Sequence, residues 1–406
     1  LGMNMRAYRY RIYPTEKQVS TLTNQMILAK AVYNTLLDEA KQHYKATGKS
    51  FTRNMMNMRL TKLKKEHPEF NSLHSQAIQN ISDRVWKAYR NFFRRVKEKQ
   101  KGKRIKVGFP RVKKFVVSLT YPQSGFKLSG AHLSLSKTGR LPIVLHRPIE
   151  SKVKTLTIKC SKSMEWYATF TAESEGGSFM PNEKSAVGID LGLSNYATLS
   201  DGSVIQNMRF SKQNIARARR LQRQISRKVK GSRNRRKAVL KLARFSNHIA
   251  QQRHDFLHKL SRQLVNSYGL IAYEKLSIGN MMKNHGLAGA IQDAGWGGFA
   301  SMLGYKAEKA GCRAVEVNPK NTSTTCSNCG AKHLMPLWKR TYECEKCGLK
   351  IGRDLNSAKV ILARGLDTAG RAGIYACGEA ASTFERSRAS SFVEAGTTCE
   401  RNVHAQ

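Results

Sequence analysis

The sequence predicts a multidomain α+β protein: a small antiparallel barrel interrupted by a helical block, then a second sheet-and-helix domain with a four-cysteine ribbon set into it. Three observations point there. Period-two strand patterns broken by Gly, Pro and Ser flank a long stretch with helical three- and four-residue periodicity. At Ser185 the texture turns to buried strands alternating with helices. Near the far end two Cys-x-x-Cys-Gly motifs stand 14 residues apart. A chain of 406 residues exceeds the roughly 250 at which single cores stop growing, so several packed units are expected.

The elements follow in order. MRAYRYRIYPT alternates and is rich in Tyr and Arg, which reads as a strand ended by Pro14. From Thr15 to Lys101 the pattern is helical: Leu22, Met26, Ala29, Val32 and Leu36 share one face, as do Ile78, Ile81, Val85, Tyr89 and Phe92 further on. From Gly102 to about Glu175 strands return, in VGFPRV, KFVVSLTYP, GFKLS, HLSLSK, LPIVLH, SKVKTLTIKC and WYATFTAE. The strand at residues 4–12 is placed to close this barrel, which makes the helices an insertion. AVGIDLGLSNYATLSDGSVI then reads as a strand hairpin with Asp190 in its first arm. Two basic helices follow, separated at KGSRN, before the strand LIAYEKL with Glu274. GNMMKNHGLAGAIQDAG is expected to be a mobile stretch. A helix with Trp296, Phe299, Leu303 and Tyr305, the strand CRAVEVN, the cysteine segment and a helix opening at Asp354 complete the order. The residues from Cys377 are small and polar and read as a flexible tail.

Charge is the loudest compositional signal. Seventy-two Lys and Arg face 27 Asp and Glu, a formal net charge of +45. A folded chain with that excess repels itself unless a polyanion neutralises it. Nucleic acid fits, since about 20 base pairs carry roughly 40 phosphates and each contact releases a counterion. Residues 217–244 hold 13 Lys and Arg, and no Asp or Glu occurs between Gly202 and His254. A solvated helix gains from alternating charge signs; one sign throughout forgoes that and points to an anionic partner along this face. Arg217, Arg220, Arg223, Arg227, Lys228, Arg235 and Arg236 are the contacts to test first. No apolar run approaches the roughly 18 residues that span a bilayer, and no secretory apolar core follows the N-terminus. The expectation is a cytoplasmic protein of the prokaryotic cytosol or nucleoid, with no membrane partner and reduced cysteines.

Cys326, Cys329, Cys344 and Cys347 present four thiolates at the spacing of a tetrahedral zinc site. Four protein ligands leave no open position, so this Zn2+ is structural. Asp190 lies between Ile189 and Leu191 in an expected sheet centre, and Glu274 poses the same problem in IAYEKL. A buried carboxylate costs several kcal/mol unless it is paired or holds a metal. Singly, each acid has an ordinary structural explanation, Asp354 as a helix N-cap. Jointly, a strand hairpin with Asp, a later strand with Glu and a terminal helix with Asp give the order found in ribonuclease-H-like nucleases. Phosphodiester hydrolysis needs an activated water and a stabilised leaving oxygen, which two divalent ions about 3.5–4 Å apart supply. Hard Mg2+ ions, or Mn2+ in their place, require oxygen ligands.

At these residues the sequence resembles the TnpB family, transposon-associated RNA-guided nucleases ancestral to type V CRISPR effectors. The matching segments are GIDLGLSNYATLSDG, AYEKL, QDAGWGGF, TSTTCSNCG, YECEKCG and GRDLNSA, and more loosely YRIYPTEKQ, VYNTLL, QAIQN, AYRNFF, VGFPR and YPQSGFKL. The family often has Asp or His two residues before the third catalytic Asp, where this chain has Gly352. The resemblance implies that Asp190, Glu274 and Asp354 are the catalytic, magnesium-binding carboxylates and that the four cysteines hold zinc. It implies a wedge-type β-barrel at 1–15 plus 102–180, a helical recognition insertion at 16–101, an RNase-H-like (RuvC) α/β nuclease domain at 181–317 plus 350–376, a zinc ribbon at 318–349 and a C-terminal tail at 377–406. Gln79 and Asn80 would face a short transposon-adjacent DNA motif, their amides suiting base edges. The basic helices would line the channel for the guide–target heteroduplex, read by backbone and shape. Its partners would be a guide RNA derived from the transposon end and target double-stranded DNA, with one copy per ribonucleoprotein. Other readings stay open: a nuclease-inactive RNA-guided DNA-binding regulator, a transposase-type strand-transfer enzyme, and a zinc-ribbon scaffold without catalysis, which leaves the buried acids unexplained.

Overall fold

A computed structural model describes residues 4–174, 184–336 and 338–376, so the expected tail at 377–406 lies outside the described residues. The chain forms two compact units, Leu1–Gly177 and Ser178–Gln406.

The first unit opens with β1 (Asn4–Ile12), which buries Tyr8, Tyr10 and Ile12 by its period-two pattern. Helices α1 (Glu16–Thr47), α2 (Arg53–Glu66) and α3 (Ser75–Gln100) follow. A capping box starts α1: the Gln18 amide N–H donates to the Thr15 hydroxyl, and the Thr15 N–H donates back to the Gln18 side chain. Gly48 ends it in the left-handed conformation. Six strands complete the unit: β2 (Ser118–Pro122), β3 (Phe126–Ser129), β4 (His132–Leu135), β5 (Gly139–Val144), β6 (Val153–Cys160) and β7 (Trp166–Ser174). The seven strands make one antiparallel sheet, ordered β2-β6-β7-β1-β5-β4-β3. Strand β1 joins its two halves from the middle, while β2 and β3 remain edges, so the expected barrel stops short of closure by hydrogen bonds. Helical and strand residues share one buried cluster.

VGFPRV is not a strand. Pro110 lacks a ladder donor, and the segment instead straps the helices. Phe109 meets Tyr89 and Phe92 edge-on, Arg95 donates to the Gly108 carbonyl, and Asn34 clasps both the N–H and the carbonyl of Lys113.

The second unit begins with β8 (Ala186–Leu191), β9 (Asn195–Leu199) and β10 (Val204–Gln206), then α4 (Phe210–Gln213), α5 (Ile215–Ser226) and α6 (Arg233–Ser267). After these come β11 (Leu270–Glu274), α7 (Ile278–Met281), α8 (His285–Ala294), α9 (Trp296–Ala310) and β12 (Arg313–Val317). The hairpin β13 (Thr341–Glu343) and β14 (Lys350–Gly352) leads directly into α10 (Arg353–Ala376). The five-stranded sheet is ordered β10-β9-β8-β11-β12; β8, β9 and β10 are antiparallel, and β11 runs parallel to β8 and β12.

The sheet faces divide by residue parity. Val187, Ile189 and Leu191 of β8, with Ile271 and Tyr273 of β11, pack into the core shared with α6 and α9. The alternate positions face α10, where Ala272 and Val317 meet Ile361. Close approach of α10 needs glycine: a Cβ on Gly188 would stand 2.1 Å from the Ala358 carbonyl oxygen, and one on Gly365 would stand 2.3 Å from the Ala272 Cβ. The expected mobile stretch after Glu274 forms α7 and α8 instead, because Ile291, Asp293 and Ala294 are buried. Tyr305, expected on the packed side of α9, is half exposed.

Candidate functional site

Two positions past Gly188, Asp190 stands on the same α10-facing side of β8, and Glu274 holds the equivalent place two residues past Ala272 on β11. The last registered pair, Tyr273 with Ile189, puts these acids side by side at the carboxyl ends of neighbouring parallel strands, about 4.8 Å apart in backbone. Asp354 lies in the first turn of α10, one turn before the Ala358 that packs on Gly188. One helical turn rises about 5.4 Å and two strand residues about 6.6 Å, so Asp354 draws level with Asp190. The elements thus bring all three acids to one end of one sheet face.

Electrostatics agree. Burial, then the charges of Glu274 and Asp354, push the Asp190 carboxyl up to about 7, with Arg353 opposing. Burial also raises Glu274, against a hydrogen bond from Thr322 and the charge of Arg364. The carboxylates do not form a single-ion cage: among the described residues, the cysteines are the one group of three or more ligand side chains with atoms within 4.8 Å of one another.

Sequence reasoning missed the residues that hold this cluster. The Thr322 hydroxyl donates to Glu274 Oε1 at 2.5 Å and is itself buried. Arg364, from α10, donates to the Asn318 and Lys320 carbonyls and fixes the loop that carries Thr322. Fully buried Asn356, two residues after Asp354, donates to the Thr325 carbonyl at 2.8 Å and accepts from the Ser327 N–H at 2.9 Å, tying the cysteine segment to α10. No local pattern announces such partners.

The cysteine site is local. Cys326 accompanies Cys329 on one knuckle, and Cys344 accompanies Cys347 on a second. In each the first cysteine's carbonyl accepts from the N–H of a left-handed glycine, Gly330 or Gly348. Cys326 and Cys347 sulfurs are 3.7 Å apart, and Cys329 and Cys344 sulfurs 3.5 Å. A tetrahedron with Zn–S bonds of about 2.3 Å has edges of about 3.8 Å, so the four thiols fit zinc. The Leu349 N–H leads in holding the Cys347 thiol down, near 6. His333 Nε2 sits 3.2 Å from Cys344 Sγ, a neighbour the spacing did not reveal.

The nucleic-acid candidates divide. Arg217, Arg220, Arg223, Arg227, Lys228 and Arg236 are exposed on α5, α6 and their connection, and Arg217 also covers the Phe245 ring. Arg235 is engaged elsewhere, donating to the Ile225 and Lys228 carbonyls at the end of α5. Gln79 is exposed, while the Asn80 side-chain oxygen accepts from Arg84, which in turn reaches the Ser118 backbone carbonyl and the Thr120 hydroxyl. Among the described residues no helix is long and apolar enough to cross a membrane.

Comparison with known proteins supplies the context. Residues 170–285 match a family described as "Probable transposase", residues 296–361 a "Cas12f1-like, TNB domain" and residues 3–49 a "Helix-turn-helix domain". A Streptomyces pristinaespiralis protein named "Putative RNA-guided DNA endonuclease" is 34% identical over 371 residues, 89% of each chain. Escherichia coli K12 has a relative named "Putative RNA-guided DNA endonuclease InsQ", 31% identical over 400 residues, covering 92% of this chain and 94% of its own. The fold is similar to a chain in the cryo-EM structure of a Cas12f1-sgRNA-target DNA complex, with TM-score 0.56 and 12% identity over 88% of this chain and 98% of that one.

Proposed function

The chain belongs to the TnpB family, and from that premise we propose that it is a transposon-encoded, RNA-guided, magnesium-dependent DNA endonuclease whose metal site is built from Asp190, Glu274 and Asp354. The observation that carries the site assignment is the convergence of three acids on one sheet end, where burial and the neighbouring acids raise the Asp190 carboxyl to about 7. Hard cations relieve that repulsion, and oxygen donors suit them. Carboxylates spread wider than one ion's shell suit a pair of ions, with waters and a substrate phosphate as the remaining ligands. When bound, the ions would activate the attacking water and stabilise the leaving oxygen. Asp190 and Glu274 would hold them from the strands, and Asp354 from the helix.

The sheet order β10-β9-β8-β11-β12 and the acids' placement support an RNase-H-like (RuvC) reading of 181–317 plus 350–376. The ribbon at 318–349 would carry structural zinc. Residues 1–15 plus 102–180 would form the wedge and 16–101 the recognition insertion. There exposed Gln79 would approach the transposon-adjacent motif while Asn80 positions Arg84. The exposed cations of α5 and α6 would follow the guide–target backbone.

The test is to copurify the chain with its RNA, sequence that RNA, and challenge the complex with a matching duplex. Expected is cleavage that needs Mg2+, accepts Mn2+ and stops with Asp190→Ala, while RNA and DNA binding persist. Cleavage by Asp190→Ala at the parent's rate would overturn the site.

A further inference from the structure

Beside the turn that follows β8 lies a cavity of about 810 Å3. It exists because three helices turn small side chains toward one another: Ala218 from α5, Ser246 and Ala250 from α6, Gly289 and Ala290 from α8. Leu193, Ile249 and Leu287 add apolar wall, and the exposed Arg209 and Lys212 add positive charge. The only acid in the lining, Asp293, is already neutralised. Its two oxygens accept from the Ser211 N–H, the Ser211 hydroxyl and Arg253, at 2.7–2.8 Å. Arg209 itself is held in the left-handed region, φ 47° and ψ 44°, with its N–H on the Asn207 side-chain oxygen. A non-glycine residue in that conformation is fixed by its surroundings.

We propose that this cavity receives one base of the displaced DNA strand as that strand approaches the carboxylates, with Arg209 and Lys212 meeting the adjoining phosphates. The size suits a nucleotide, since small-molecule sites run to roughly 300–1,000 Å3. Apolar walls accept the face of any base, and unopposed cations accept the backbone, the pairing that serves single-stranded nucleic acid. A stacked base has no access, so the occupant is single-stranded. Leu193 and Ser194 follow Asp190 by only three and four residues, which puts the cavity next to the acids along the chain. The inference rests on the DNA-cleavage reading above.

Gly289 offers the probe: it lies within α8 with nothing inside 4 Å of an added Cβ. In the guide-loaded complex, Gly289→Phe should fill the cavity and slow cutting of a matched duplex at least about tenfold, the scale of one base contact. Gly289→Phe should still bind guide RNA as the parent does. Abasic sites placed singly along the displaced strand leave guide pairing untouched. At one position, base removal should slow the parent about as much as Gly289→Phe does, and should slow Gly289→Phe no further. Equal cutting by Gly289→Phe, or no sensitive abasic position, would overturn the cavity's role while leaving the nuclease reading intact. Weakened guide binding by Gly289→Phe would assign the cavity to RNA and overturn the proposal. Should Gly289→Phe fail to fold, the abasic scan of the parent decides alone. A parent complex that cuts no matched duplex would remove the premise.

Discussion

The second unit contains two clusters suited to metal ions, assembled in opposite ways. The cysteine cluster comes from two short knuckles 14 residues apart, and its sulfurs already stand at tetrahedral distances. The carboxylate cluster draws single residues from two strands and a helix that span 165 positions from Asp190 to Asp354, counted inclusively, and its oxygens remain outside single-ion range. Soft thiolates closed around one ion make a rigid brace. Acids held apart, with the Asp190 carboxyl raised to about 7 by burial and its acidic neighbours, would become fully ionised near neutrality only as cations arrive. On the proposed reading one metal would be scaffold and the other reagent, and the two clusters are joined: Asn356 and Thr322 hold the ribbon segment to the acids' own elements.

The sharpest way to break this contrast is to remove one ligand from each cluster. Asp190→Ala should lower cleavage by about 10³-fold or more, equivalent to roughly 4 kcal/mol or more of transition-state stabilisation, without unfolding the protein. Cys344→Ser should do the reverse: zinc measured by elemental analysis should be lost, and protease should open the ribbon at a cost of several kcal/mol. Gly188→Ala strikes the geometry common to both, because the added carbon meets backbone of α10. Denaturant unfolding should show a loss of about 3 kcal/mol or more, accompanied by loss of cutting.

Smaller effects sharpen the comparison. In zinc-loaded, magnesium-free protein, the Asp190 carboxyl sits near 7 against an unperturbed 3.8. Between about pH 4 and 7 the folded state therefore keeps a proton that the unfolded chain has lost, and stability falls as pH rises through that window. Asp190→Asn should flatten that slope and stabilise the magnesium-free protein at pH 8 by about 2–3 kcal/mol. Thr322→Val removes a hydrogen bond that holds Glu274 down. Its carboxyl should rise, and the acidic limb of the cleavage pH profile should move to higher pH, with cutting at neutral pH reduced about tenfold.

What could be read in advance follows the same division. The four-cysteine cluster was legible because its thiols lie close in sequence and their glycines announce the turns. The acids were legible as buried charges in apolar strands, and their pairing follows from parallel β8 and β11. Thr322, Asn356 and Arg364 were not, since each finds its partner 29–48 residues away through tertiary packing. The carbonyl contacts of Arg235 were not legible, because a cation that caps a neighbouring helix looks, in sequence, like one free to meet phosphate. The stretch after Glu274 misled because its glycines suggested movement, whereas buried Asp293 fastens α8 to α4 and α6. VGFPRV misled because period-two alternation does not reveal whether a neighbour strand is available.

The most direct test of the carboxylate site is anomalous diffraction at the manganese edge from crystals of the guide-loaded protein with DNA and Mn2+. Two manganese peaks about 3.5–4 Å apart, ligated by Asp190, Glu274 and Asp354, are expected, with zinc alone at the four sulfurs. Manganese bound elsewhere, or none near these acids in a complex that still cuts its DNA, would contradict the account.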